Sequence, residues 1–217
     1  DLGEFVAGSD GIETILSARD VPGENSFGVY PHLKDQPVFA DGHVRYRGEA
    51  VLAIVGTREA VDGINFGDLP IEWQPQDAVT GVDAALQSGA TTVHDSTPSN
   101  ILTTGRLRKG EMDAAFQSAA VADGTLQTAF VEHAYIEPEA GFAERVGNRI
   151  EVTACTQAPY MDLDECARVL GVGKDAVRII PSACGGGFGG KLDASVQLPL
   201  AVAAWNLNRP VRCVYTR

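Results

Sequence analysis

Positive charge is scarce in this chain. Its 217 residues carry 17 Lys and Arg against 29 Asp and Glu, a formal net charge of −12, and the isoelectric point lies near 4.7. No basic stripe is visible, and a phosphate backbone is bound by clustered Lys and Arg, so nucleic acid is not expected as a partner. Cysteine is nearly as sparse. Cys155, Cys166, Cys184 and Cys213 are scattered without a C-x-x-C pair, which removes a zinc or iron–sulfur cradle within the chain. They read as reduced, mostly buried small side chains, with Cys184 set apart by its place beside a glycine run. A long apolar run is missing too: the longest, around Val196 to Trp205, contains Pro199 and falls far short of the roughly 20 residues that a membrane-spanning helix needs. The chain opens Asp1-Leu-Gly-Glu4 without a methionine or a charged-then-apolar leader, so a piece of a longer, cytoplasmic polypeptide is expected. G-x-S-x-G, H-E-x-x-H and a supported pair of acidic residues are all lacking. His32, His43 and His94 have no recognisable partner, and no metal ligand set is expected.

Glycine, by contrast, is abundant, with 24 residues. Five of the six residues from Gly185 to Gly190 are glycine and the sixth is Phe188. Val177, Ile179 and Ile180 precede the run and a strongly apolar segment follows it, which marks an ordered loop between buried elements rather than a linker. Such a loop leaves main-chain N–H groups free to face an oxygen-rich ligand. Gly185 to Lys191 meets a Walker loop up to its last position, where Leu192 stands in place of the magnesium-binding Ser or Thr. Gly185, Gly187 and Gly190 also meet the dinucleotide fingerprint G-x-G-x-x-G. That reading wants a carboxylate about 20 residues on, where the chain has Thr216 and Arg217; an Arg there fits only a phosphorylated nucleotide.

Periodicity gives an α/β chain with mixed sheets. Strands are predicted at 11–16, 38–40, 44–46, 50–55 and 71–73, with Thr57 capping a short helix over 58–63. Loop-like sequence between about 77 and 100 places a division near residue 80. Beyond it, a short helix is predicted at 112–116 and strands at 124–135, 140–145 and 149–154, the last two joined at Val146-Gly147-Asn148. Leu163, Cys166, Ala167 and Leu170 form one face of a helix over 160–170, closed by Gly171. A strand at 176–180, the glycine loop, a helix over 192–207 kinked near Pro199 and a strand at 211–216 complete the reading. His133, Tyr135 and Glu137 alternate on one face of the 124–135 strand and its continuation, and His133 and Glu137 are assigned to packing or hydrogen bonding rather than to a metal.

Five segments carry a resemblance. Gly185-Gly-Gly-Phe-Gly-Gly-Lys191 resembles the pterin and molybdenum loop of the molybdenum hydroxylases, the xanthine dehydrogenase and aldehyde oxidoreductase family. Thr156-Gln-Ala-Pro159, after the strand-like Ile150 to Cys155, is similar to the family's Thr-Gln-x-Pro segment. Val131 to Glu139 resembles its strand bearing histidine and glutamate, Asp41 to Val51 the mark of its α/β hammerhead domain, and Asn208 to Arg217 the strand after the loop helix. The resemblance implies an incomplete hammerhead domain over 1–80 and the first part of a molybdopterin-binding domain over 81–217.

It also implies roles. Gln157 is the catalytic-site candidate, its neutral amide placed near an oxygen ligand of molybdenum. Gly187, Phe188 and Gly189 are implied to lie against the cofactor, and Phe188 and Leu192 to shape the substrate pocket. Where the purine-oxidising branch has a glutamate after the loop lysine, this chain has Leu192, so an aldehyde or an apolar aromatic heterocycle is favoured over xanthine. The implied reaction is hydroxylation with water as oxygen source, and the implied cofactor is molybdenum-molybdopterin, with a cytosine dinucleotide form open. The 2Fe-2S clusters and FAD are expected on other domains or subunits. The remainder of the molybdopterin domain and a dimeric assembled enzyme complete the expected partners. The glutamate base of the family is not matched by any segment, so this portion is expected to be inactive alone. A non-catalytic scaffold and a dinucleotide-binding protein stay open as alternatives.

Overall fold

Asp1 caps the first helix, α1 (Leu2–Gly8), by accepting the Gly3 N–H at 2.7 Å. The apolar stretch after it forms β1 (Ile12–Leu16), which pairs antiparallel with β2 (Ala53–Gly56) in a two-stranded sheet. Thr57 caps α2 (Arg58–Asp62), as its position predicts, its hydroxyl accepting the Ala60 N–H. The computed structural model describes residues 1–216, and strands do not form at 38–40, 44–46 or 71–73. In the first two of these segments, side chains take the main-chain bonds. Asn25 donates to the Phe39 carbonyl at 2.7 Å and accepts the Phe39 N–H at 3.0 Å, while Glu49 accepts the Arg45 N–H at 2.6 Å. Val38 and Phe39 are buried all the same, so their apolar character reports packing and not a strand.

Residues Pro75–Glu132 form one compact unit with two short helices, α3 (Val82–Ala85) and α4 (Met112–Ser118). The strand predicted over 124–135 is absent. Leu126 and Phe130 lie exposed, and an apolar run that no strand faces among the described residues gains little from an extended conformation. Asn100 ties the unit internally: its Oδ1 accepts the Val93 N–H at 2.8 Å and its Nδ2 donates to the Ala85 and Thr91 carbonyls at 3.1 and 3.0 Å.

The other unit combines Asp1–Gln74 with the residues from His133 onward. The alternating stretches around Gly147 form the predicted hairpin of β3 (Ala140–Val146) and β4 (Arg149–Ala154). There follow α5 (Pro159–Leu170), β5 (Val177–Pro181), α6 (Gln197–Leu207) and β6 (Val211–Val214). The sheet runs β5-β4-β3-β6, parallel between β4 and β5 and antiparallel elsewhere, a mixed sheet as expected. Pro159 sits at the first position of α5, where an amide hydrogen has no helical acceptor to lose. Gly171 ends that helix at φ 67°. The helix predicted over 192–207 begins only at Gln197, so Pro199, read as a kink, falls in the first turn of α6, where its missing N–H removes no helical bond.

Cys166, Ala167, Val169 and Leu170 of α5 and Leu198, Leu200, Ala201, Val202, Ala203 and Ala204 of α6 are buried in one core with Ile150 and Val152 of the sheet. Leu16, Val38 and Phe39 belong to the same cluster. Burial of each large aliphatic side chain there contributes about 1.5–3 kcal/mol. The spatial units therefore part at Gln74 and His133, whereas the division near residue 80 follows composition.

Candidate functional site

Parallel pairing of β4 and β5 brings their carboxyl ends to the same edge of the sheet. Thr156 and Gln157 leave β4 there, and the glycine loop leaves β5 there, the arrangement in which open α/β sheets bind ligands. Thr156 turns the chain with its hydroxyl accepting the Ala158 N–H at 3.0 Å. Gln157 then meets the loop twice. Its N–H donates to the Lys191 carbonyl at 2.9 Å, and its Oε1 accepts the N–H groups of Gly189 and Lys191 at 3.0 and 3.2 Å.

With Oε1 occupied by two donors, the orientation of the amide is settled, and Nε2 is the end left over. It has no acceptor among the described residues, and Gln157 is exposed. A Cβ at Gly187 would stand 2.4 Å from Oε1 and 2.7 Å from Cδ of Gln157, so only glycine permits this approach. Gly186, Phe188 and Gly189 all take positive φ, of 100°, 51° and 95°. The Gly190 N–H is taken within the loop by the Gly187 carbonyl, that of Gly185 by Glu137, and those of Gly189 and Lys191 by Gln157, while those of Gly186, Gly187 and Phe188 have no acceptor among the described residues.

A second set of side chains underlies the loop. Glu137 Oε2 accepts the Gly185 N–H at 2.8 Å and pairs with Lys191 Nζ at 2.9 Å. The Lys191 side chain is 1% exposed and its ammonium lies 4.7 Å from the centre of the Tyr135 ring, within reach of a cation–π attraction. The Lys191 hydrogen bond, then the Gly185 N–H, hold the Glu137 carboxyl below its ordinary range. Burial works against the Lys191 ammonium, but the bond to Glu137 leads the contributions that carry its pKa above the ordinary value. Gly190 packs against Tyr135 and His133, a Cβ there falling 2.7 and 3.1 Å from their ring atoms.

Gln157 is thus in direct contact with Gly187 and Gly189, and Phe188, 75% exposed, stands between the two glycines. Phe188 thus combines a positive φ, which costs a non-glycine residue conformational energy, with exposure of its side chain to solvent. Leu192 follows at the loop's exit, 42% exposed, its N–H donating to the Gly189 carbonyl at 3.3 Å. Cys184 is exposed at the loop's entry, its thiol 3.3 Å from the Gly186 carbonyl. His133, Tyr135 and Glu137 do not share a strand face, since residues 131–139 are irregular. The Glu137–Lys191 pair went unread in the sequence, its partners being 54 positions apart; the one signal was a lysine directly after the glycines. Arg217 lies outside the described residues.

Among the described residues no group of three His, Cys, Asp or Glu side chains is placed to hold a metal ion. The cradle offers donors instead, three main-chain N–H groups and one side-chain amide nitrogen, beside a surface that glycine keeps clear. That donor set suits the oxygen and sulfur atoms of an anionic cofactor rather than a bare cation, so the residues present fit an anionic pterin cofactor.

A family model described as the molybdopterin cofactor-binding domain matches residues 93–217. The nicotinate dehydrogenase large molybdopterin subunit of Eubacterium barkeri is 35% identical over 216 residues, which take in 96% of this chain and 48% of that relative. Aldehyde oxidoreductase from Desulfovibrio gigas is similar in structure, with a TM-score of 0.84 at 22% identity over 100% of this chain and 25% of that one, which establishes the fold alone. Quinoline 2-oxidoreductase from Pseudomonas putida 86 superimposes with a TM-score of 0.80 at 26% identity, over 100% of this chain and 28% of that one. The chain spans about half the length of the relative from E. barkeri, 48%. No helix among the described residues is long and apolar enough to cross a membrane.

Proposed function

We infer, because this chain belongs to the molybdopterin cofactor-binding domain family, that it forms one wall of the cofactor site in a molybdenum-dependent oxidoreductase. That enzyme hydroxylates an aldehyde or an aromatic heterocycle with water as the oxygen source. The observation that carries the reading is the half-used amide of Gln157: Oε1 is held by the loop at Gly189 and Lys191, and Nε2 is left to donate. When bound, the cofactor supplies the redox chemistry by which a carbon centre gains a water-derived oxygen and gives up two electrons. Gln157 would hold that group by donating a neutral hydrogen bond to one of its oxygen atoms without adding charge to it. The N–H groups of Gly186, Gly187 and Phe188 add donors along the same loop, and Gly189 holds Gln157 in place.

Phe188 and Leu192 are the substrate-facing residues of this proposal. Both are apolar, so a ring nitrogen or carbonyl over them finds no hydrogen bond from these side chains, a loss of about 1–3 kcal/mol for a buried polar group. A simple aldehyde or a weakly polar aromatic heterocycle presents fewer such groups to these side chains and loses less than xanthine does. The names of the similar proteins, which include a nicotinate dehydrogenase and a quinoline oxidoreductase, support a heterocycle. The division into an incomplete hammerhead domain over 1–80 and the first part of the cofactor domain over 81–217 is part of the proposal, supported by a family match that starts at residue 93. So are iron–sulfur and flavin partners, the remainder of the cofactor domain, a dimeric enzyme and a cytoplasmic setting.

Turnover of quinoline or an aromatic aldehyde by the full-length parent enzyme in heavy-oxygen water, read by mass spectrometry, tests the reaction class. The reading expects the label in the hydroxylated product. Oxygen drawn from dioxygen, or no oxidation of either compound type by an enzyme loaded with cofactor, would overturn it.

A further inference from the structure

The two ends of the glycine loop meet at a single atom. Glu137 Oε2 accepts the Gly185 N–H at 2.8 Å, where the run begins, and the Lys191 ammonium at 2.9 Å, where it ends. Lys191 in turn grips Gln157 through its main chain on both sides, its N–H donating to Oε1 at 3.2 Å and its carbonyl accepting the Gln157 N–H at 2.9 Å. Lys191 is therefore the junction between the carboxylate beneath the loop and the amide above it. The centre of the Tyr135 ring lies 4.7 Å from the ammonium, and Gly190 approaches the same ring closely.

We propose that Glu137 and Lys191 are positioning residues that act as one latch, closing the glycine loop on itself and fixing the direction in which the Gln157 amide points. This rests on the cofactor reading of Gln157 and deepens it. A stabilising role alone would not require charge. A buried ion pair replaced by apolar or neutral groups of similar size is often neutral for stability, whereas removal of one partner strands the other. Glu137 keeps some access to water, its side chain 35% exposed, and the Lys191 side chain has almost none, at 1%. Loss of the carboxylate charge is thus the more damaging single change, and joint neutralisation separates stability from positioning.

The test uses the full-length parent enzyme with Glu137→Gln, Lys191→Met, the double variant and the conservative Lys191→Arg. The latch predicts that Glu137→Gln lowers the melting temperature and that the double variant recovers most of it. In that double variant kcat stays at least about tenfold low with KM within about twofold, the loss expected when an interaction made only in the transition state is removed. The Mo(V) electron paramagnetic resonance signal shifts, and amide hydrogen exchange over residues 185–192 accelerates at least about tenfold, the exposure of a locally opened segment. Lys191→Arg restores part of kcat. A double variant with the parent kcat and unchanged exchange over 185–192 overturns the latch, as does a kcat loss that tracks melting temperature across all four variants. Absence of molybdenum from the unsubstituted enzyme defeats the cofactor reading alone, because the exchange comparison reads the latch without it.

Discussion

Asn100 and Gln157 each organise irregular backbone through a side-chain amide, and they do so differently. Asn100, within Pro75–Glu132, spends both ends of its amide, accepting one N–H through Oδ1 and donating to two carbonyls through Nδ2. Gln157 spends only Oε1, on Gly189 and Lys191. A saturated amide is a tie. A half-used one, held rigidly by its occupied end, is a donor aimed at something else. Asp162 offers a third case in the core, where Oδ2 accepts from Gln197 Nε2 at 3.2 Å while Oδ1 has no hydrogen-bond partner among the described residues. Buried, that half-use is a cost and not an opportunity.

Several substitutions break or sharpen the contrast. The largest effect is expected from Gly187→Ala, whose Cβ would collide with the Gln157 amide. It should abolish turnover and release molybdenum and pterin from the full-length enzyme, measured by metal and pterin content. Gln157→Glu comes next, because a carboxylate oxygen still accepts the two loop N–H groups but nothing remains to donate. kcat should fall about 10²-fold, as for loss of one preorganised donor, with metal content unchanged. Equal activity in the two forms would mean that Nε2 is idle.

Asp162→Asn addresses the buried case. Burial pushes the Asp162 carboxyl up to about 6 from 3.8, with the Thr156 hydroxyl and Gln197 amide pulling the other way and Asp193 and Glu165 adding to the rise. The folded chain therefore holds a proton that the unfolded chain has released, and stability falls as pH rises from 3.8 through about 6. The neutral isostere should stabilise the fold by about 2–3 kcal/mol above that window, seen as a higher melting temperature near about pH 7.5 that disappears below the unfolded value. The smallest effect belongs to Asn100→Ala, expected to cost about 1 kcal/mol in stability and to leave kcat unchanged.

What could be read from the sequence follows a physical line. The hairpin at Gly147, α5 with its glycine stop and the glycine loop were legible because short-range patterning dictates them. Gln157 was legible only through its motif, and the two N–H bonds that orient it were not. Val38, Phe39 and the 124–135 stretch misled because apolar content was taken for strand, when Asn25 supplies the bonds in one place and no strand pairs with the other among the described residues. Pro199 was read as a kink because the start of α6 at Gln197 is set by packing and by the loop before it. The Glu137–Lys191 contact joins segments brought together only by the fold, and no local signal announces it.

Molybdenum and pterin per protomer of the full-length parent protein, purified from its own host, test the central claim most directly. The account predicts about one of each, lost together in the Gly187→Ala form. Protein free of both metal and extractable pterin would contradict it and leave Gly185 to Lys191 a structural or nucleotide-binding loop.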